Sequence, residues 1–193
     1  MKPIMALLLL LPVFTHSQII GTSAYMIGDN VEIGINDAGH EGAPLLGTSH
    51  NRSDAWVGSP VYFGFVANPQ LDGWGNYDGD FFTPGSPENG FGLEILGINY
   101  HNNASGSLED IAGSISSYDL DGDCMSVVWD GTIGDIDVHI VYRLITTELY
   151  YTTEVTLTNT GLTDYTDIYY YRNLDPDNSG MVVFVYFTRI SIG

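Results

Sequence analysis

Residues 136–159 read IDVHIVYRLITTELYYTTEVTLTN. Ile136, Val138, Ile140, Tyr142 and Leu144 take every second position, with Asp137, His139, Val141 and Arg143 between them. Successive side chains of a strand point to opposite faces, so this alternation predicts a strand with an apolar inner face and a mostly polar outer one. The pattern resumes after residues 145–148, where Tyr151, Val155 and Leu157 stand opposite Thr152, Glu154, Thr156 and Thr158. Two runs rich in β-branched and aromatic residues, joined by a short link, predict an antiparallel hairpin. Its register is strongly constrained, because a slip of one residue would turn the whole apolar set toward solvent.

The same grammar extends in both directions. Residues 23–27 and 31–35 flank Gly28-Asp29-Asn30 as a hairpin-like pair, and 61–66 and 92–100 each read as a strand. Residues 125–129 and the segment after Thr132 straddle Asp130-Gly131, a pair favoured in tight hairpin turns, so a turn is expected there. Asn159-Thr160-Gly161 closes the quoted hairpin, and a further strand begins near residue 167. The chain holds 23 glycines and no stretch of helical periodicity. The fold class predicted is therefore all-β, an antiparallel β-sandwich, in a single domain over residues 18–193.

The first 17 residues form a separate unit. Lys2 precedes an apolar run from Ile4 to Phe14 that includes five consecutive leucines, and Thr15-His16-Ser17 follows. A charged start, an apolar core and a small-residue end make a secretory signal peptide, with cleavage expected after Ser17. The run is too short for a membrane-spanning helix, which needs roughly 20 residues. A secreted or cell-surface location follows, without membrane insertion after cleavage. At the other end, residues 181–193 carry no acidic residue. They read as a buried last strand or as a truncated or frame-shifted terminus.

Formal net charge is −19, and after Lys2 the only strong cations are Arg52, Arg143, Arg172 and Arg189. Nucleic acid and anionic membrane surfaces would be repelled by such a chain. Cations would be attracted, and clustered Asp and Asn oxygens suit hard ions such as Ca²⁺, the one cofactor expected. Three clusters fit that chemistry: Asp72, Asn76, Asp78 and Asp80 in a glycine-rich stretch, Asp119, Asp121 and Asp123, and the short run Asp175, Asp177 and Asn178. The same residues also suit solvated turns, where Asp and Asn bond their own backbone. The second cluster is no EF-hand, which would need glycine where Cys124 stands. Cys124 is the only cysteine, so no disulfide forms within the chain.

The long stretch over residues 67–89 contains Trp74, Tyr77, Phe81 and Phe82. Trp74 and Tyr77 are candidate ligand-binding residues, since flat aromatic faces stack on sugar rings while Asp and Asn bond the hydroxyls. The alternative is that these aromatics plug the open end of the sandwich. No catalytic residue is assigned. There is no Gly-x-Ser-x-Gly elbow, the histidines lack zinc-site spacing, and 24 acidic residues offer too many carboxylate pairs to choose among.

Residues 138–178, with paired Thr- and Tyr-rich strands, an Asn-Thr-Gly turn and an aromatic strand ending in Asp175-Pro176-Asp177, resemble a β-sandwich segment of large exported bacterial surface proteins, including type IX secretion cargo. The strand order is also similar to that of mutarotase-like supersandwich domains. The first resemblance implies a non-catalytic extracellular module for adhesion or binding, with a glycan or protein ligand. The second implies a carbohydrate-binding or carbohydrate-modifying domain.

Overall fold

The structure is a computed structural model that describes residues 17–45, 62–69, 79–82, 88–103, 108–175 and 188–192. Its strands in chain order are β1 (Ser17–Ile20), β2 (Ser23–Ile27), β3 (Val31–Ile35), β4 (Ala43–Pro44), β5 (Tyr62–Phe63), β6 (Phe65–Ala67), β7 (Gly79–Asp80) and β8 (Glu88–Ile95). There follow β9 (Ile98–Asn103), β10 (Leu108–Glu109), β11 (Ala112–Asp121), β12 (Cys124–Ile133), β13 (Ile136–Ile145), β14 (Tyr151–Asn159), β15 (Ile168–Asp175) and β16 (Thr188–Ile192). No helix occurs among the described residues.

Three main sheets run β1-β2-β3-β6-β7, β10-β9-β8-β15 and β11-β12-β13-β14-β16, with β4 and β5 as a small separate pair. All pairings are antiparallel except β14 with β16. The inner faces meet in one core. Met26, Ile33 and Phe65 come from the first sheet, Phe91 and Leu93 from the second, and Val127, Trp129, Ile140 and Val155 from the third. The fold is thus an all-β antiparallel sandwich.

The quoted hairpin is β13–β14, with Ile140 opposite Val155 and Leu144 opposite Tyr151. Ile136, Val138, Ile140, Tyr142 and Leu144 are buried, and Asp137, His139 and Arg143 are exposed. The hairpin expected at Gly28-Asp29-Asn30 is also present, between β2 and β3.

Three strand boundaries differ from the sequence reading. Asp130-Gly131 is no turn: both residues lie inside β12, and the two-residue turn is Gly134-Asp135, with Gly134 at φ 57°. Asp130 is held as a strand residue by bonds to neighbouring strands. Gly131 is held by packing, because the Trp129 indole lies over Gly131 and its cross-strand partner Gly113. A Cβ on either glycine would stand 2.2 Å from that ring. Residues 92–100 are not one strand but β8 and β9, joined by Leu96-Gly97 with both residues at positive φ, 51° and 79°. Residues 61–66 are divided at Gly64 into β5 and β6.

Phe81 and Phe82 of the long stretch are buried in the core. Phe65 carries a ring contact with each, at centroid separations of 6.0 and 5.5 Å.

Candidate functional site

Two polar constellations stand out, one buried and one open. The buried one is built on residues 36–42, the segment after β3. Arg172 of β15 donates through Nη2 to both carboxylate oxygens of Glu41, at 2.8 and 2.6 Å. The Glu41 side chain is 1% exposed and that of Arg172 16%. The Tyr151 hydroxyl also donates to Glu41 Oε1. Arg172 Nη1 lies 3.2 Å from the Tyr142 hydroxyl, which itself donates to the Gly39 carbonyl at 2.6 Å. The guanidinium carbon sits 5.6 Å from the Tyr142 ring centroid. Burial pushes the Tyr142 phenol far above its ordinary range.

Backbone carbonyls of the same segment are taken up as well. Trp129 Nε1 donates to Asp37, Asn102 Nδ2 to Ala38, and Asn89 Nδ2 to Glu41. His40 is buried with Nδ1 2.9 Å from the Glu41 carbonyl and Nε2 3.2 Å from Asn36 Nδ2. Desolvation by burial holds its imidazole below the ordinary value, against the raising effect of Glu41. A buried segment must have its polar groups satisfied, and strands of the second and third sheets supply most of the partners here. The geometry is that of a clamp fixing one segment between the sheets. Its charges neutralise each other, with Glu41 buried and Arg172 only slightly exposed.

The open constellation lies on the outer face of the third sheet. Asp130 on β12 faces His139 on β13 in register. His139 Nδ1 lies 2.6 Å from Asp130 Oδ1, and the Ser116 hydroxyl donates to Asp130 Oδ2. Ser116 projects there because β11 shifts register between Ile115 and Ser117, a β-bulge that re-aims the side chain. Partial burial pushes the Asp130 carboxyl up, but the bonds from Ser116 and His139 and the His139 charge outweigh it and hold the carboxyl below its ordinary value. Asp130, Asp137 and His139, with Ala112, Gly131, Thr132 and Val138, line an adjoining cleft of about 480 Å³.

These three residues are the members of a Ser, His and Asp set, but in the wrong order for nucleophilic catalysis. Activation needs the serine hydroxyl bonded to the imidazole, with the carboxylate behind it. Here the carboxylate stands between the two, so the hydroxyl gives its proton to an acceptor that is also bound to the imidazole. The His139 and Asp130 side chains are 47% and 49% exposed, so the arrangement is open to solvent.

Of the residues singled out in the sequence, Trp74, Tyr77, Asp72, Asn76 and Asp78 lie outside the described residues. Asp80 is fully buried. Its Oδ2 accepts from the Gly64 amide at 2.7 Å, and its Oδ1 from the amides of Phe65 and Phe82 at 3.3 and 2.9 Å. It therefore organises the β6–β7 region. Asp119 and Asp121 stand on β11 opposite Ser126 and Cys124, and Asp123 lies in the two-residue turn between β11 and β12. Among the described residues no three His, Cys, Asp or Glu side chains are grouped so as to hold a metal ion.

The sequence reading missed both constellations. Arg172, an isolated cation within the aromatic run Tyr169-Tyr170-Tyr171 and Asn173, was the available signal for the first. The alternation that placed Asp137 and His139 on the outer face pointed to the second, but Asp130 was assigned to a turn. No family model matches the chain, and no curated protein or solved structure matches it either.

Proposed function

We propose that this chain is an exported, non-catalytic binding module of the cell surface or the extracellular space. The observation that carries the reading is the order Ser116, Asp130, His139 on an open sheet face: polar groups are held in fixed positions beside a solvent-facing cleft, and the hydroxyl is bonded to the carboxylate instead of the imidazole. Two further features support it. One is the net charge of −19, which favours solubility of an exported chain, and the other is the resemblance of residues 138–178 to a segment of exported surface proteins.

The test has two parts. Expression in an exporting host is expected to yield a chain beginning at Gln18, and an intact Met1 on the secreted protein would sink the export part. The secreted chain is then passed over immobilised extracellular matrix proteins and glycans by surface plasmon resonance, alongside an esterase and glycosidase substrate panel. Saturable binding with no turnover is the expected result. Turnover abolished by Ser116→Ala would replace the binding reading with an enzymatic one.

A further inference from the structure

The outer face of the second sheet carries a different arrangement. Tyr169 and Tyr171 are two apart on β15, so they share this face and stand ~7 Å from each other. Each begins a row across the sheet: Tyr169, Glu94 and Asn99 in one, Tyr171, Gly92 and His101 in the next. Tyr169 is 58% exposed, and Asn99 is exposed beside it.

Tyr171 does not stand out from the sheet but lies along it. Its ring passes over Gly92, where a Cβ would meet Cζ and Oη at 2.5 Å, and its hydroxyl reaches His101 Nδ1 at 2.6 Å on the far side. Glycine at 92 is what allows the ring to lie down, and His101 fixes its tip. The His101 ring stands edge-on to it, at 65° and 5.8 Å between centroids. A tyrosine held flat on a sheet presents its outer π-face to solvent without further ordering cost, so binding against it loses little conformational entropy.

We infer that this face, paved by Tyr169 and Tyr171 and edged by Glu94 and Asn99, binds a neutral oligosaccharide by stacking sugar rings on the two tyrosines. The inference rests on the reading of the chain as a binding module and names one of its ligands. Sugar rings offer apolar C–H faces to aromatic rings and hydroxyl donors to carboxylates. Glu94 in its ionised form is acceptor-only and can take hydrogen bonds from sugar hydroxyls. A proline-rich peptide would also stack on tyrosines, but proline has no N–H to give to Glu94. Anionic sugars are disfavoured because, among the described residues, no lysine or arginine stands on this face: Arg172, the neighbour of Tyr171, turns inward to Glu41. Burial against the sheet, with Glu94 and Asp110 close by, pushes the Tyr171 phenol up, so the ring stays an uncharged platform.

The experiment uses the full secreted chain on an array of immobilised neutral gluco-, manno-, galacto- and xylo-oligosaccharides, with sialylated and sulfated glycans and a polyproline peptide alongside. Hits are quantified by calorimetry for the unmodified chain, Tyr169→Ala and Tyr171→Ala, with thermal melts to confirm folding. Since Tyr169 is mostly exposed, its truncation leaves the fold intact. Binding of at least one neutral series, weakened tenfold or more by Tyr169→Ala, is the expected result. Binding unaffected by Tyr169→Ala and Tyr171→Ala would overturn this site, as would retention only of anionic glycans or of polyproline. Should no glycan bind while a matrix protein does, the sugar inference fails and the module reading survives. Failure of every ligand removes both.

Discussion

Glu41 and Arg172 are separated by 131 positions in the chain, yet each is the other's main counter-charge. Removing one partner of a buried pair leaves an uncompensated charge in a low-dielectric setting, which costs about 3–5 kcal/mol, whereas replacing both by apolar residues of similar volume is often neutral. Glu41→Leu and Arg172→Met are each expected to destabilise the protein by about that amount. The double replacement Glu41→Leu with Arg172→Met should recover more than half of the summed loss. Urea unfolding of the four proteins checks this. Additive losses in the double variant would show that the two groups act independently and that the clamp description is wrong. The one local signal of this pair, the isolated cation at Arg172, is ambiguous. Glu41 sits in a polar segment indistinguishable from a loop, and an arginine among tyrosines reads equally well as an exposed strand residue, because pairing partners that meet only in the folded state leave no periodic trace.

Among the elements, legibility followed the strength of the period-2 pattern. β13 and β14 show it over nine or ten residues, and their faces were readable one by one. Turns fared worse, because Asp130-Gly131 and Gly134-Asp135 offer similar local chemistry only four residues apart. The choice was made by Trp129, whose indole needs the paired glycines Gly113 and Gly131 beneath it, and that demand is tertiary. Leu96 is the opposite case, since it occupies a turn with no sequence signal. Leu96 and Gly97 both have positive φ in a two-residue hairpin, the geometry that favours Asn-Gly. A non-glycine residue in the left-handed region costs roughly 1–2 kcal/mol, and asparagine tolerates it better than most. Leu96 is 57% exposed, so little packing is lost on replacing it. Leu96→Asn is therefore expected to stabilise the protein by about 0.5–1 kcal/mol, measured as a higher urea midpoint at unchanged m-value. A lower midpoint would mean that the leucine side chain contributes contacts outweighing the backbone strain.

At the scale of the whole molecule, stability between pH 7 and pH 5.5 is governed by two opposing effects. A net charge of −19 repels itself in the compact state, and this repulsion eases slightly as protons bind. His40 acts the other way. Burial holds its folded-state affinity for a proton below that of the unfolded chain, where histidine titrates near ~6.5. On acidification the unfolded state therefore binds the proton first. The stability due to neutral His40 is complete above ~6.5 and is lost as pH falls through that value toward the folded one. Asp130, held below the ordinary carboxylate range, keeps its contribution until pH nears the unfolded carboxylate value of ~3.9, outside the window. In 0.5 M NaCl the Debye length shrinks to roughly 4 Å, which suppresses the repulsion and leaves the His40 effect exposed. Unfolding free energy is then expected to fall between pH 7 and 5.5, and His40→Gln should flatten that slope whatever it does to stability at pH 7. At low salt the slope should be shallower in both proteins. A slope in 0.5 M NaCl that is the same with and without His40 would assign the pH response to other groups and deprive the buried imidazole of this role.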